Sequence, residues 1–520
     1  MSVFSTAEKE PSGLKGGPLG LGIGRNAFFV LIGISVSAGL AVALDYLPYS
    51  PFENFLLGLA IAVGAPLVLV LIITALWQGI KGFVALMPNI RWYWWIWALM
   101  FVSDFTWKYN SAQANEANPL DPSSFPRILS ELIVGVVLLL GLVRKRVDWP
   151  SRIFVGLPGL ITVFCIVGML STAWSVYPPA TAYKSLEFEL DVGILCAILF
   201  CMKTAEQYEE FANWGWILQG LQLWWVWMGM IIWPGEAFAA AQGSEDNIPR
   251  LQGVIPVVGY NAVAAMGAVL GIVALARLVP VDKSKKRKYW AWYFCVLVVG
   301  IVTLFFAQTR SAIGGFAVAA TLVLLFAGYF WFLVALGFGA LIILLVTPLG
   351  PLAWDYFMRS QDMEQIKTLS GRTDWWAYGY EVWKQHPYNG VGMYVAGKFA
   401  VMQHMGQGNT PTLHSDWMEI FVGTSIWGLI PIVALAICCI WILFRCYFDR
   451  ALPLQDRQLS LEFFGIMTYL TIRSFVNVEL VWHAPSLFFP VVGWAEYMRR
   501  KRKRKRLEDA ARYAVIASGA

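Results

Sequence analysis

Apolar runs long enough to cross a lipid bilayer recur along the chain and are separated by short polar segments. A membrane-spanning helix needs about 20 mostly apolar residues, and counting such runs predicts about 12–14 helices. The apolar stretch from Ile313 to Leu349 is too long for one span, so we divide it near Gly328 into two helices joined by a tight turn. The predicted spans are residues 27–44, 55–77, 92–107, 128–143, 153–174, 185–202, 211–233, 254–277, 289–307, 311–326, 328–347, 415–445, 460–476 and 484–498.

Composition supports the same fold class. Of the 520 residues, 58% are apolar and 14% are charged, and the mean hydropathy is +0.60. A soluble domain is usually about 45–50% apolar and about 25% charged. We therefore expect an all-α polytopic membrane protein. The seven cysteines form no CxxC pair, which gives no support to a disulfide framework or a zinc site.

Clusters of lysine and arginine predict the orientation of the chain, because cytoplasmic loops carry an excess of these residues. With the spans above, three clusters and both termini fall on one side, which we assign to the cytoplasm. The clusters lie at residues 144–152, 283–288 and 499–506. They are short and separated by apolar runs, so the net charge of +6 does not indicate nucleic-acid binding. The first apolar run ends in a sequence that resembles a signal-peptidase site, Ala41–Ala43, but we expect an uncleaved anchor.

The same orientation places four polar segments on the opposite, outer face. They are residues 175–184, residues 234–253, the turn around Arg310, and the long loop 351–413. We divide the chain into N-terminal helices (1–150), helices that include the Arg310 turn (151–350), an outer loop (351–413), C-terminal helices (414–498) and a basic tail (499–520) that we expect to contact anionic membrane lipids. Polar chemistry beside a membrane is a candidate functional site.

Arg310 and Arg372 are the candidate anion-binding residues. Arg310 lies between two apolar helices, where it either extends to the membrane interface or binds an anion through its forked guanidinium. Arg372 follows Ser370, which we expect to cap a short helix that directs Trp375 and neighbouring apolar residues toward the membrane surface. A helix N-terminus attracts phosphate, so Arg372 is either an exposed interfacial residue or part of a phosphate site.

His414 is the candidate catalytic residue. It lies directly before a predicted helix on the outer face, and an imidazole that titrates near neutrality can take a proton from a sugar hydroxyl. The alternative is a histidine that is hydrogen-bonded at a helix start. His386 and His404 are interpreted as supporting residues, and His483 as a possible satellite. The spacing of His404, His414 and Asp416 matches no compact metal motif, and the chain lacks a P-loop, GxGxxG or GxSxG motif with triad partners.

Four segments, in this order, resemble the family of O-antigen ligases and exopolysaccharide polymerases. They are TRSA at 309–312, SGRTDWW at 370–376, HPYNGVG at 386–392 and LHSDWMEIFVGTSIWG at 413–428. Two further segments are similar to the family, LSTAWSVYPPATAYKS at 170–185 and RLQGVIPVVGYNAVA at 250–264. The resemblance spans about residues 150–495. Two departures are Ser415, where the family often has asparagine, and Gly259-Tyr260-Asn261, where it has His-Pro-Asn.

The resemblance implies a GT-C-like membrane glycosyltransferase of the bacterial inner membrane that acts on the periplasmic face. The implied donor is a glycan on undecaprenyl diphosphate, and the implied acceptor is a sugar hydroxyl of another lipid-linked glycan or of lipid A core. Arg310 and Arg372 would hold the diphosphate, and His414 would activate or orient the acceptor hydroxyl. Arg250, Lys184 and His483 would support them. The reaction would invert the anomeric centre and need neither a metal nor another cofactor.

Polymerase and ligase differ in the acceptor, and the motifs do not separate them. We favour a polymerase because the context of residues 174–185 resembles exopolysaccharide polymerases. A transporter or flippase is the first alternative from another class, since Glu187, Glu189 and Asp191 lie in a predicted span and intramembrane acids often mark ion paths. A non-catalytic membrane scaffold is the second.

Overall fold

The computed structural model describes residues 51–87, 94–95, 98–99, 125–144, 153–202, 205–238, 249–279, 281, 289–346, 349–358, 368–369, 371–406, 412–481, 490 and 501. The structure is about 81% helical and contains no strand among these residues. The chain divides into two compact units, residues 1–83 and 84–520. The described part of the first unit belongs to one helix, α1 (Pro51–Leu86), whose apolar side chains from Leu67 to Trp77 are largely exposed, as lipid contact requires.

The second unit is built from α-helices joined mostly by short connections. A 3₁₀ turn, Ser171–Trp174, and a π-helix, Ala396–Met402, interrupt them. The α-helices described there are α2 (Phe125–Val143), α3 (Leu157–Leu170), α4 (Pro178–Cys201), α5 (Ala205–Ile232), α6 (Pro234–Ala237), α7 (Tyr260–Leu278), α8 (Trp290–Ala307), α9 (Arg310–Phe326), α10 (Phe330–Val346), α11 (Leu349–Met358), α12 (Arg372–Gln385), α13 (Asp416–Phe448) and α14 (Leu454–Ser474).

The expectation of an all-α polytopic membrane protein is confirmed. Five described helices are long and apolar enough to cross a membrane: Gly64–Leu86, Leu157–Trp174, Tyr260–Leu278, Trp290–Ala307 and Asp416–Phe448. The predicted span 27–44, most of 92–107 and all of 484–498 except residue 490 lie outside the described residues. The total of about 12–14 spans therefore stays a prediction.

The predicted division of the apolar stretch after Ile313 is also confirmed. Helix α9 ends at Phe326 and α10 begins at Phe330. Gly328 has φ 82° and lies just beyond the end of α9, where the amide of Tyr329 donates to the carbonyl of Leu324 at 2.9 Å. A glycine in the left-handed conformation commonly ends a helix in this way because it lacks a Cβ.

Helix α7 lies at the centre of the second unit and packs against α5, α8, α9 and α14. Most of its side chains from Val263 to Ala276 are buried. The backbones of α7 and α8 approach closely at two glycines, since a Cβ built on Gly300 would lie 2.6 Å from the carbonyl oxygen of Gly267. Small residues at such positions allow membrane helices to pack closely, and the packing here fixes the start of α7 near the neighbouring helix ends.

Helix α12 corrects two predictions about the outer loop. Gly371, with φ 80°, is the N-cap residue, in place of Ser370, which lies outside the described residues. Trp375 and Trp376, which we expected to face the membrane surface, pack together with Val382 against a buried cluster within the protein. Its members are Val391, Ala396, Ala400, Val401, Met402, Leu413 and Val422. The tryptophan side chains therefore anchor α12 to the start of α13.

The HPYNGVG segment lies against a kink in α13. The amides of Val391 and Gly392 donate to the carbonyls of Val422 and Gly423 at 3.0 and 2.8 Å. Gly392 has φ 109°, and a Cβ there would lie 2.3 Å from the Ser175 hydroxyl, so no side chain fits. Two segments recognised separately in the sequence, 386–392 and 413–428, thus form one structural unit.

Candidate functional site

Four arginines lie at or near helix ends, and three of them act electrostatically on the fourth, Arg372. Arg310 begins α9, Arg372 begins α12, Arg473 lies in the last turn of α14, and Arg250 precedes α7. The positive charges of the other three arginines contribute to the lowered pKa of Arg372. We call these four residues the arginine cluster. The structure therefore brings together Arg250, Arg310 and Arg372, which are distant in sequence.

Arg372 is held in place by the chain segment that follows α14. Its Nη1 donates a hydrogen bond to the carbonyl oxygen of Val476. Burial lowers the pKa of Arg372, and the charges of Arg473, Arg250 and Arg310 lower it further, whereas Tyr260 opposes the change. Like charges held in a partly buried place repel one another, and an anion bound among them would relieve that repulsion.

Arg310 and Arg250 are each oriented by a specific contact. Nη2 of Arg310 donates to the carbonyl oxygen of Met358, the last residue of α11, at 3.0 Å. The guanidinium of Arg250 lies over the ring of Tyr260, with its central carbon 4.7 Å from the ring centroid, and the residue is only 5% exposed. An arginine placed on an aromatic ring keeps its donors in a fixed plane, which suits recognition of phosphate oxygens.

Arg473 is a member of the cluster that the sequence analysis missed. It is fully buried, and its guanidinium forms an ion pair with Glu479 at 2.8 Å. It also donates to the Tyr469 hydroxyl at 2.9 Å and to the carbonyl oxygen of Asn261 at 2.6 Å. Its position at the outer end of the predicted span 460–476 was a usable signal, since the other outer arginines were selected on that criterion.

His414 lies beside Arg372 in a turn with a left-handed backbone. Its φ is 52°, a value that few residues other than glycine adopt. Its Nδ1 lies 3.5 Å from the Oδ1 of Asn477, and its ring packs on Trp375 with the centroids 5.7 Å apart. Strained backbone of this kind tends to occur at functional sites, where the surroundings enforce it.

Buried hydrogen bonds fix the turn that contains His414. The carboxylate of Glu419, which is fully buried, accepts hydrogen bonds from the amides of Leu413 at 3.0 Å and Gly397 at 2.9 Å. The indole of Trp376 donates to the carbonyl of Leu413 at 2.9 Å. Ser415 is the N-cap of α13, because its hydroxyl accepts from the amide of Met418. The serine that departs from the family pattern therefore has a structural role here.

The pKa of His414 is lowered to about 4, first by burial and then by the charge of Arg372, whereas the contact with Asn477 opposes the change. The imidazole is consequently neutral at physiological pH and can accept a proton. An anion that bound to Arg372 would compensate the guanidinium charge and raise the pKa of His414. The basicity of the histidine is thus linked to occupation of the neighbouring anion site.

The remaining predicted residues lie in other surroundings or beyond the described chain. Lys184 forms an ion pair with Glu187 at 2.7 Å on α4. His386 and His404 are exposed. His483 lies outside the described residues. Within the described part of the chain, no group of three or more histidine, cysteine, aspartate or glutamate side chains could hold a metal ion.

Comparison with known proteins supports the resemblance. The search of curated proteins finds no match to this chain. Residues 294–433 match a family model described as O-antigen ligase. Arg310, Arg372 and His414 fall inside this range, whereas Arg250, Arg473 and Asn477 fall outside it. Over residues 294–433, the range that contains Arg310, Arg372 and His414, the chain is therefore similar to the O-antigen ligase family.

Proposed function

We propose that this protein transfers a glycan from undecaprenyl diphosphate to a sugar hydroxyl at the periplasmic face of the bacterial inner membrane, in exopolysaccharide or O-antigen polymerisation. The family match supports glycan transfer of the ligase or polymerase type in general. The observation that carries the finer proposal is the convergence of Arg250, Arg310 and Arg372 beside the neutral His414. A ligase that joins the polymer to lipid A core would use the same chemistry with another acceptor.

The arginine cluster supplies the donor-binding half of the proposed site. Arg310 and Arg372 hold the diphosphate, and Arg250 adds positive charge from its place on Tyr260. Cleavage of the glycosidic phosphate bond increases negative charge on the departing diphosphate. Guanidinium groups fixed before the reaction stabilise that charge without reorganising, which lowers the barrier. The proposal therefore needs no metal ion.

His414 supplies the acceptor-activating half. Its neutral imidazole takes the proton of the acceptor hydroxyl while the hydroxyl oxygen attacks the anomeric carbon from the side opposite the diphosphate. The new carbon–oxygen bond forms as the bond to phosphate breaks, so a single displacement inverts the anomeric centre. Binding of the anionic donor beside Arg372 raises the pKa of His414, so the base strengthens only when a donor is present.

The charge distribution of the chain supports the proposed sidedness. The three basic clusters at 144–152, 283–288 and 499–506 favour a cytoplasmic location for their loops and for both termini. With that orientation, the starts of α7, α9 and α13 and the end of α14 would face the periplasm. Arg310 and Arg473 lie at two of these helix ends, Arg250 precedes α7, and Arg372 begins α12 in the outer loop, so the arginine cluster would face the same side.

The test is transfer in proteoliposomes that contain a defined undecaprenyl-diphosphate oligosaccharide and no ion gradient. We expect longer lipid-linked products from the wild type and, with His414→Ala, a loss of rate on the order of 100- to 10,000-fold. His386→Ala is the matched control, because His386 is exposed and should leave the rate unchanged. Equal rates for His414→Ala and the wild type would contradict the proposal.

A deletion strain separates the possible acceptors. A polymerase predicts loss of long polymer while lipid-linked single repeats persist. A ligase predicts that long lipid-linked polymer accumulates. Transport of the lipid-linked glycan without any transfer in proteoliposomes would instead favour a flippase.

A further inference from the structure

The segment Val476–Leu480, which follows α14, contacts both halves of the proposed site. The carbonyl oxygen of Val476 accepts from Arg372, and the side chain of Asn477 contacts His414. The amides of Glu479 and Leu480 both donate to Oδ2 of Asp416 at 2.7 Å. This segment lies beyond the region that matches the family, which ends at residue 433. The family match therefore does not account for the contact between this segment and His414.

Asn477 lies between an imidazole and a carboxylate. Its side-chain Nδ2 donates to Oε1 of Glu479 at 2.7 Å, and its Oδ1 lies 3.5 Å from Nδ1 of His414. Asn477 is 7% exposed and Glu479 is 5% exposed, so water contributes little to either contact. The His414 contact is long, as catalytic hydrogen bonds often are before substrate binds.

The carboxylate of Glu479 determines which way the Asn477 amide points. Nη1 of the fully buried Arg473 lies 2.8 Å from Oε1 of Glu479, and a guanidinium has only donors, so Oε1 accepts a hydrogen bond there. The amide of Asn477 contacts the same Oε1, and it therefore turns its NH₂ group toward Glu479 and its oxygen toward His414. The opposite amide orientation would set two acceptor oxygens against each other in a buried place.

The orientation of Asn477 in turn determines the tautomer of His414. The amide oxygen has no proton to give, so Nδ1 of the imidazole must carry the proton that is shared between them. A neutral imidazole carries one proton, which leaves a lone pair on Nε2. Nε2 is then the atom that can take a proton from an acceptor hydroxyl.

We infer that Asn477 is a positioning residue that holds His414 in the Nδ1–H tautomer, and that the Arg473–Glu479 pair orients Asn477 for this purpose. The catalytic consequence rests on the proposed role of His414 as the base, whereas the tautomer itself does not. A histidine base held by an acceptor on its second nitrogen follows a general requirement of proton transfer. Here a neutral amide fills that position.

The test compares three variants in the proteoliposome assay. Asn477→Leu keeps the approximate volume and removes the acceptor, and we expect kcat to fall on the order of 10- to 100-fold with little change in the KM for the donor.

The double variant Asn477→Asp with Glu479→Gln exchanges carboxylate and amide while it conserves charge. The carboxylate that it introduces at position 477 can accept from Nδ1 of His414, so we expect recovery of most of kcat and an acidic limb displaced to higher pH. Gln458→Leu is the matched control, because it deletes two side-chain amide contacts at the other end of α14.

A ¹⁵N spectrum of histidine-labelled protein tests the tautomer without reference to activity. The His414 signals are assigned by their absence in His414→Gln. We expect a protonated Nδ1 and an unprotonated Nε2 in the wild type and in the double variant, and a shift toward the Nε2–H form in Asn477→Leu. A wild-type Nε2–H tautomer, or unchanged tautomer and kcat in Asn477→Leu, would overturn the inference. Full activity of His414→Ala would instead overturn the proposed function, and the spectrum would still decide the tautomer.

If Asn477→Leu does not fold, the double variant decides. A folded double variant without the Nδ1–H tautomer contradicts the role of the acceptor at position 477, and one that retains this tautomer supports it.

Discussion

The two ends of the helix bundle contain partly buried arginines in opposite electrostatic surroundings. At the end of α7, Arg277 forms two hydrogen bonds with the carboxylate of Glu462, Nε to Oε2 at 2.7 Å and Nη2 to Oε1 at 3.0 Å. Its Nη1 donates to the Tyr293 hydroxyl at 3.2 Å, and Trp216 donates to the same carboxylate at 2.7 Å. At the start of α12, Arg372 lies among the charges of Arg473, Arg250 and Arg310.

The difference separates arginines whose charge is compensated within the protein from those that we propose bind a ligand. Arg277 has its opposite charge within the protein, so its geometry is complete without a ligand. Arg473 resembles Arg277 in this respect, because Glu479 pairs with it. The pKa of Arg372, by contrast, is lowered first by burial and then by neighbouring positive charges, and a bound diphosphate would relieve the repulsion among those charges. Burial alone would not have separated these roles, since both arginine groups are largely withdrawn from solvent.

The largest expected effect concerns the ion pair between Arg277 and Glu462. Arg277→Met leaves the buried carboxylate of Glu462 without its main partner, and we expect it to lower the free energy of unfolding by about 3–5 kcal/mol. The double variant Arg277→Met with Glu462→Met should recover most of that stability, since no buried charge remains. Thermal unfolding in detergent measures both. Transfer per folded molecule should stay at the wild-type level. A loss of transfer without a loss of stability would contradict the structural role of Arg277.

Substitution of Arg372 should give the opposite result. Arg372→Gln removes a donor to the diphosphate and its repulsion with the other arginines, so we expect kcat/KM to fall by about 100- to 1,000-fold while thermal stability is retained. Arg372→Lys should recover little, because an ammonium cannot bind phosphate oxygens as a fork. Equal loss of stability and of activity would place Arg372 with the structural arginines.

The pH dependence of transfer tests whether an anion bound at Arg372 raises the pKa of His414. The pKa of His414 is about 4 in the free protein, so kcat/KM should have its acidic limb near pH 4. The acidic limb of kcat, which reports the donor complex, should lie at higher pH because the bound diphosphate compensates Arg372. In Arg372→Gln the acidic limb of kcat/KM should move to higher pH, closer to the acidic limb of kcat. Coincident limbs in the wild type would contradict the linkage.

The free energy of unfolding should also depend on the protonation of His414. The unfolded chain binds a proton at His414 below about pH 6.5, whereas the folded protein binds it only below about pH 4. The unfolded state therefore holds more protons between these values, and stability contributed by His414 is lost as the pH falls through that window. His414→Gln should reduce the loss, as measured by thermal unfolding at pH 7 and pH 5.

The smallest expected effect concerns Lys184. Its ammonium pairs with Glu187 one turn away on α4, so its charge is compensated locally. Ion pairs of this spacing on a helix surface contribute about 0.3–0.5 kcal/mol, and Lys184→Met should change transfer by no more than about threefold. A loss as large as that of Arg372→Gln would add Lys184 to the anion-binding residues.

Several elements could be predicted from the sequence because they depend on local patterns. The apolar runs that became α8, α9, α10 and α13 are long enough to identify without tertiary information. The direction of Trp375 and Trp376 could not be predicted, because an amphipathic face packs equally well against lipid and against protein. In the structure both side chains are partly buried against the start of α13, where the indole of Trp376 donates to the carbonyl of Leu413.

The sequence by itself determined that this is an all-α membrane protein, because hydropathy is a local property, and its motifs selected Arg310, Arg372 and His414 as candidate site residues. Only the tertiary structure decided that Arg250 and Arg473 join the first two arginines and that Asn477 reaches His414. The physical reason is that a charge is stabilised or destabilised by neighbours in space, and residues 250, 310, 372 and 473 are separated in the chain by at least 60 residues. Whether an arginine is paired with a carboxylate, as Arg277 is, or surrounded by like charges, as Arg372 is, depends on how the helix ends meet.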